Sequence, residues 1–222
     1  MEKSDMKKLA LAAALVLATA ATSHAATIID SATKGFYNAG IGSVLNSTSI
    51  AFPGVGDGDP TQSFGPGDAP DLSAAASALG DWLTTPATPG GTWSATEQAI
   101  PRNWKVNDET AVIYAFDGGA NGIENLNLSI GVDNGIFVWL NGVFQGGAMA
   151  PGGARLGEFT LDLGTVQAGT NFLQLLREDH GGGTGYAIEV TGDEISAVPL
   201  PAGLPLLLAG LGIFGWMKRR AA

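Results

Sequence analysis

Hydrophobic and polar positions in the second half of the chain repeat with the two-residue period of a β-strand. Leu126, Leu128, Ile130 and Val132 fall on one face of such a strand. Ala111 to Phe116, Ile136 to Leu140, Phe159 to Leu163, Asn171 to Arg177 and Tyr186 to Thr191 are further short runs rich in apolar residues. Turn signals separate them. Asn134-Gly135 is the favoured dipeptide of a type I′ hairpin, and Asn141-Gly142 marks a second tight turn leading into Val143-Phe144. Nearer the N-terminus, Thr27-Ile28-Ile29 and Ser49 to Phe52 read as short strands, and Pro53 to Pro70 as a long Gly-, Asp- and Pro-rich loop. One helix is predicted after it. Asp71 caps it, Leu72, Ala75, Ala76, Leu79, Trp82 and Leu83 recur at helical spacing, and Pro86 to Gly91 ends it. Many short strands at regular spacing predict an all-β, antiparallel sandwich or barrel, with no internal repeat.

The two ends follow a different pattern. Lys3, Lys7 and Lys8 precede the apolar run Leu9 to Ala21, and Ser23-His24-Ala25 offers small residues at the −3 and −1 positions. That is the pattern of a secretory signal peptide cut between Ala25 and Ala26. At the other end, Val198-Pro199-Leu200-Pro201-Ala202-Gly203 leads into the apolar run Leu204 to Met217, which stops at Lys218-Arg219-Arg220. The prolines hold an exposed, extended backbone, the apolar run partitions into lipid, and the basic cluster stays cytoplasmic. From Ala202 to Met217 a helix would reach about 24 Å, short of the roughly 30 Å hydrocarbon core. Gly203, Gly210, Gly212 and Gly215 weaken it further as a helix. The span therefore suits a temporary handle better than a permanent anchor.

This order of motif, short span and terminal basic cluster resembles the PEP-CTERM sorting signal of Gram-negative bacteria, in its Val-Pro-Leu-Pro-Ala variant. Leu200 stands where the parent motif carries Glu. The resemblance implies recognition by an exosortase, a membrane-embedded transpeptidase-like enzyme. It also implies association with the cell surface or extracellular polysaccharide. Export through the Sec translocon, removal of the signal peptide by signal peptidase, and transient anchoring in the inner membrane are expected first. The expected organisation is a signal peptide (1–25), an exported domain (26–197) and a sorting signal (198–222), with terminal helices in the first and last.

Charge and cysteine content narrow the function of the exported part. Residues 26–197 hold five bases (Lys34, Arg102, Lys105, Arg155, Arg177) against nineteen acids, a net charge of −14. Nucleic-acid binding needs clustered Lys and Arg and is disfavoured. An acidic surface suits divalent cations, or simply a solvated exterior. With no cysteine in the chain, disulfides, thiol catalysis and thiolate metal sites are excluded. His24 leaves with the signal peptide, so His180 is the only histidine of the expected mature protein.

Within the exported part, Phe137-Val138-Trp139-Leu140-Asn141-Gly142 is followed by Phe159-Thr160-Leu161-Asp162-Leu163. Then comes Gln167-Ala168-Gly169-Thr170-Asn171-Phe172-Leu173. This succession resembles the galactose-binding-like jelly roll, an accessory module of many secreted glycosidases. The resemblance covers about residues 105–191 and implies a jelly-roll-like β-sandwich with one short helix.

Several residues are candidates for binding. His180 ends Arg177-Glu178-Asp179-His180 and precedes the flexible Gly181 to Gly185 loop, a usual place for ligand groups in sandwiches, so Asp179 and His180 are either ligand groups or solvated turn residues. Trp93, Trp104 and Tyr186 are either platforms for sugar rings or core residues, whereas Trp82 and Trp139 suit packing. Two oxygen-rich loops suit calcium: Asp57-Gly58-Asp59, with Asp68 and Asp71 nearby, and Asp117 to Glu124, with Asn121 between. Neither has EF-hand spacing. No Gly-x-Ser-x-Gly elbow accompanies His180, and no catalytic residue is assigned. The leading expectation is a non-catalytic surface or matrix protein that binds glycans. The alternatives are a polysaccharide hydrolase using Asp and Glu, and a purely structural surface protein.

Overall fold

A computed structural model of the protein describes residues 25–58, 60–149 and 152–196. The predicted terminal helices, the motif Val198 to Ala202, and the basic residues Lys218, Arg219 and Arg220 lie outside the described residues, as does Asp59. Within them, eleven strands run as β1 (Ala26–Asp30), β2 (Lys34–Gly42), β3 (Gln62–Phe64), β4 (Gln98–Ala99), β5 (Glu109–Asp117), β6 (Ile123–Asp133), β7 (Gly135–Leu140), β8 (Val143–Met149), β9 (Phe159–Val166), β10 (Thr170–Glu178) and β11 (Gly185–Glu194). They form two antiparallel sheets, one ordered β1-β11-β6-β9 and the other β3-β8-β7-β10-β5-β2-β4. The expected all-β sandwich is present.

The hydrophobic pattern explains how the sheets differ. β6 buries Leu126, Leu128, Ile130 and Val132 against the second sheet and turns Asn125 and Asn127 to solvent. The continuous runs of β5, β7 and β10 belong instead to a sheet covered on both sides, as unbroken apolar strands require. Side chains alternate between the two layers. Ile136, Val138, Leu173, Leu175, Val112 and Tyr114 face the four-stranded sheet. Phe137, Trp139, Leu176, Ala111 and Ile113 face an outer layer drawn from residues 41–83, where Leu45, Phe52, Leu79 and Trp82 are buried.

Four local expectations are corrected. Ser49 to Phe52 is a turn closed by a single bridge between its two ends rather than a strand, and the Pro53 to Pro70 segment contains β3. The predicted helix is only a 3-10 turn, Ser73–Ala75, and one α-helical turn, α1 (Ala76–Leu79). Asp71 does accept the Ser73 amide at 2.9 Å. The helix stops because Asp81 donates its amide to Pro89 O (2.7 Å), drawing the chain out of line before Trp82 and Leu83. Asn134-Gly135 is not a hairpin turn. β6 pairs with β9 and β11, whereas β7 pairs with β8 and β10, so this dipeptide is the corner where the chain crosses between sheets. Gly135 is needed for close approach, since a Cβ there would lie 2.2 Å from Met149 Sδ. Asn141-Gly142 is a tight hairpin turn, joining β7 to β8 with positive φ at both residues, as type I′ geometry demands.

Gln174 fastens the outer layer to the sheet. It is fully buried; its Nε2 donates to Trp82 O (2.7 Å) and its Oε1 accepts the Gly142 amide (2.8 Å). Replacing Gln174 with Leu leaves the buried Trp82 carbonyl and the half-buried Gly142 amide without these partners. We expect a loss of about 2–4 kcal/mol in denaturant unfolding; a loss within experimental error would refute this fastening role.

Candidate functional site

The end of β10 is where the sequence changes from apolar to charged, and the fold draws those charges inward. Arg177, Glu178, Asp179 and His180 are all buried. Strand alternation sends Arg177 between the sheets, where Nε donates to Thr110 Oγ1 (3.0 Å) and Nη1 to Pro101 O (2.9 Å). Its guanidinium lies 4.3 Å from the Trp104 ring centroid, 4.7 Å from that of Tyr186 and 5.4 Å from that of Tyr37. Aromatic faces attract a desolvated cation, so this cage does part of what a carboxylate would do elsewhere. Burial lowers the Arg177 pKa, and the neighbouring tyrosines oppose that shift. Burial also raises the Tyr114 hydroxyl to about 12 and the Tyr186 hydroxyl well above its ordinary value. Their oxygens are 3.1 Å apart.

His180 Nδ1 lies 2.8 Å from Glu178 Oε1, and the His180 backbone amide donates to Asn134 Oδ1 (3.2 Å). Asn134 in turn donates its amide to Glu178 O (3.0 Å). The corner between the sheets is thus sewn to the end of β10. Beyond it the glycine loop is held at Thr184, whose Oγ1 accepts the Trp104 amide (3.0 Å) and donates to Trp104 O (2.9 Å). Between these anchors opens a cleft of about 420 Å³, walled by Gly56 and Gly58, by Asp133 and Asn134, by Gly152, and by His180 to Gly183. Its walls are backbone amides and carbonyls, with carboxylate, amide and imidazole groups among them. Such a surface suits hydroxyl-rich, uncharged molecules better than apolar ones.

The sequence candidates scatter across this geometry. The structure brings His180 and the loop around Asp57 to one cleft. Asp57 is exposed, and its Oδ2 accepts the Gly54 amide (2.7 Å) within its own turn. His180 is not a solvated turn residue, because the Glu178 and Asn134 contacts hold it inside. Asp179 is buried as well, accepting the Asn107 amide through Oδ2 at 2.5 Å. The aromatic candidates are packed. Trp93 stacks on Trp82 at 5.9 Å and donates Nε1 to Leu79 O (2.9 Å); Trp104 and Tyr186 belong to the Arg177 cage. Asp117, Asn121 and Glu124 lie at the opposite end of the sheets. There Asp117 accepts the Gly119 amide (2.9 Å), Asn121 donates to Ile195 O (3.0 Å), and Glu124 is exposed. Among the described residues, no three or more His, Asp or Glu side chains are grouped to hold a metal ion. Ala25 and Ala26 are exposed where β1 begins.

Glu109 is the residue that sequence reasoning passed over. It opens β5, one turn of the pleat before the apolar run, and is fully buried. Burial, with the nearby charges of Asp108 and Asp179, pushes its carboxyl up to about 8, while the amides of Glu109 itself and Leu45 offset part of the shift. Asp179 is raised by burial too, against the lowering effect of the Asn107 and Gly181 amides. The only signal in the sequence was an acid abutting an otherwise apolar strand.

No family model matches the chain, and no curated protein matches it.

A pH dependence follows from Glu109. Its folded pKa of about 8 exceeds the ordinary 4.5, so between these values the folded protein binds a proton that the unfolded chain has released. Stability contributed by the neutral acid is therefore full below the lower value and is lost as pH rises, by at most about 1.4 kcal/mol per unit, levelling above the upper one. In metal-free buffer, denaturant unfolding at pH 5, 6, 7 and 8 should show this decline, and Glu109→Gln should flatten it. A decline of equal slope in the variant would assign it to other groups.

Proposed function

We propose that the protein is an exported, non-catalytic surface or matrix protein, sorted by exosortase, whose sandwich binds extracellular glycan at the glycine-walled cleft. The observation that carries this reading is the C-terminal succession of Val198 to Ala202, a short apolar run and Lys218 to Arg220, facing a signal peptide at the other end. The antiparallel two-sheet architecture is compatible with a galactose-binding-like jelly roll. The cleft offers backbone donors and acceptors together with Asp133, Asn134 and His180, the groups that sugar hydroxyls pair with.

Two measurements test the reading separately. Intact mass and fractionation of the native protein, with and without exosortase, should give a mature form starting at Ala26 and ending within Val198 to Ala202, outside the inner membrane. A form that keeps Lys218 to Arg220 in the inner membrane regardless of exosortase refutes sorting. For glycan binding, Gly183→Trp fills the cleft without backbone strain, because the nearest atom to a Cβ there is Asp133 Oδ2 at 3.9 Å. Binding to exopolysaccharide of the host should fall by about tenfold or more with the fold intact. Unchanged binding would move the ligand elsewhere.

A further inference from the structure

The acids beside the cleft lack what buried acids need. Glu109 and Asp179 are both 0 % exposed. Among the described residues, Glu109 Oε1 and Oε2, Asp179 Oδ1, Asn107 Oδ1 and Asn46 Oδ1 are buried oxygens that accept no well-formed hydrogen bond, although the amides of Glu109, Leu45 and Gly181 lie close enough to favour the ionised acids in part. They are neighbours. Asn46 Nδ2 donates to Asn107 O (3.2 Å), the Asn107 amide donates to Asp179 Oδ2, and Glu109 feels the charge of Asp179. Neither Arg177 nor Lys105 serves them, and His180, whose charge favours an ionised Asp179, is held by Glu178. Arg177 is committed on the inner face of β10 to Thr110, Pro101 and three rings, and Lys105 pairs with Asp108 at the surface. Carboxylates taken out of water are stable only when paired, hydrogen-bonded or bound to a metal.

We propose that Glu109 and Asp179, with the side-chain oxygens of Asn46 and Asn107, form a buried binding site for a calcium-like divalent cation. The donor set is all oxygen, which excludes a preference for soft metals. Carboxylate and neutral amide oxygens in a site closed to solvent suit calcium, which tolerates irregular coordination. Magnesium keeps several of its waters and demands an octahedron. The cation would tie the turn after β2 to the start of β5 and the end of β10, beneath the cleft. This site is distinct from both oxygen-rich loops that the sequence suggested.

The test is a terbium titration of the purified, chelator-treated protein, followed by calcium competition and thermal melting. Trp104 donates its indole N–H to Asp108 O (2.7 Å), one residue from Glu109, and is placed to sensitise terbium emission. Tryptophan excitation should give strong emission in the wild type. Glu109→Gln and Asp179→Asn should each reduce it by about tenfold or more. Calcium should displace terbium and, at a hundredfold excess over its Kd, raise the melting midpoint by about 5–10 °C. No sensitised emission together with no calcium-dependent shift in the wild type would overturn the proposal. So would emission that survives both variants but is abolished by Asp117→Asn at the opposite end. Should either variant fail to fold, the wild-type titration and melting still decide.

Discussion

The structure depends on keeping water from both faces of one sheet. β5, β7 and β10 are apolar on alternate and intervening positions alike, so one face cannot be left to solvent without exposing Phe137, Trp139, Ile113 and Leu176. The four-stranded sheet covers one side. The other is covered by residues 41–83, which hold little regular structure and must hide their own backbone groups as they do so. Side chains of the sheet and its neighbours meet that demand: Gln174 serves Trp82 and Gly142, Asn38 Nδ2 donates to Ala78 O (2.7 Å), and the Trp93 indole serves Leu79. In a chain without cysteine, two-sided burial and these polar fasteners take the place of covalent cross-links.

Covering both faces also decides the fate of the charges at the strand ends. Strand alternation separates them across β10, sending Arg177 inward to an aromatic cage and leaving the acids of the outer side without it as a counter-ion. Arg177 is held by Thr110, Pro101 and three rings, Glu178 by His180, and Asp179 by the Asn107 amide. The buried character of His180 has the same origin, because the outer layer closes over the end of the sheet rather than stopping short of it.

Much of the fold was legible, and the gaps have physical causes. Alternation in Leu126 to Val132 marks a strand wet on one side, and the unbroken run Ile136 to Leu140 marks a strand dry on both; both signals are local and survive folding. The Asn141-Gly142 turn is equally local. Asn134-Gly135 misleads because the same dipeptide serves a tight turn through its backbone angles or a corner through the missing Cβ, and only the pairing of distant strands separates the two. The helix after Asp71 falls short because a contact with Pro89 outweighs its periodicity. Of the candidate site, His180 and the glycine loop were visible as a strand end followed by flexible residues. For the aromatic candidates sugar platform and core residue both stayed open, since loop-like context says nothing of whether Trp104 stacks on sugar or on a buried guanidinium. Glu109, Asn46 and Asn107 carry no pattern at all, because what unites them with Asp179 is three separate segments meeting in space.

The pairing of β1 with β11 has a mechanical consequence. Ala26 sits opposite Gly192, and β11 begins at Gly185 opposite Asp133, so the chain enters and leaves the sandwich at one end while the cleft opens at the other. The two ends are separated by most of the ten-residue length of β11, about 30 Å of strand. Chain continuing from either terminus therefore joins the sandwich at the end away from the cleft, so whatever it joins loads β1 and β11 side by side and leaves the cleft end unencumbered.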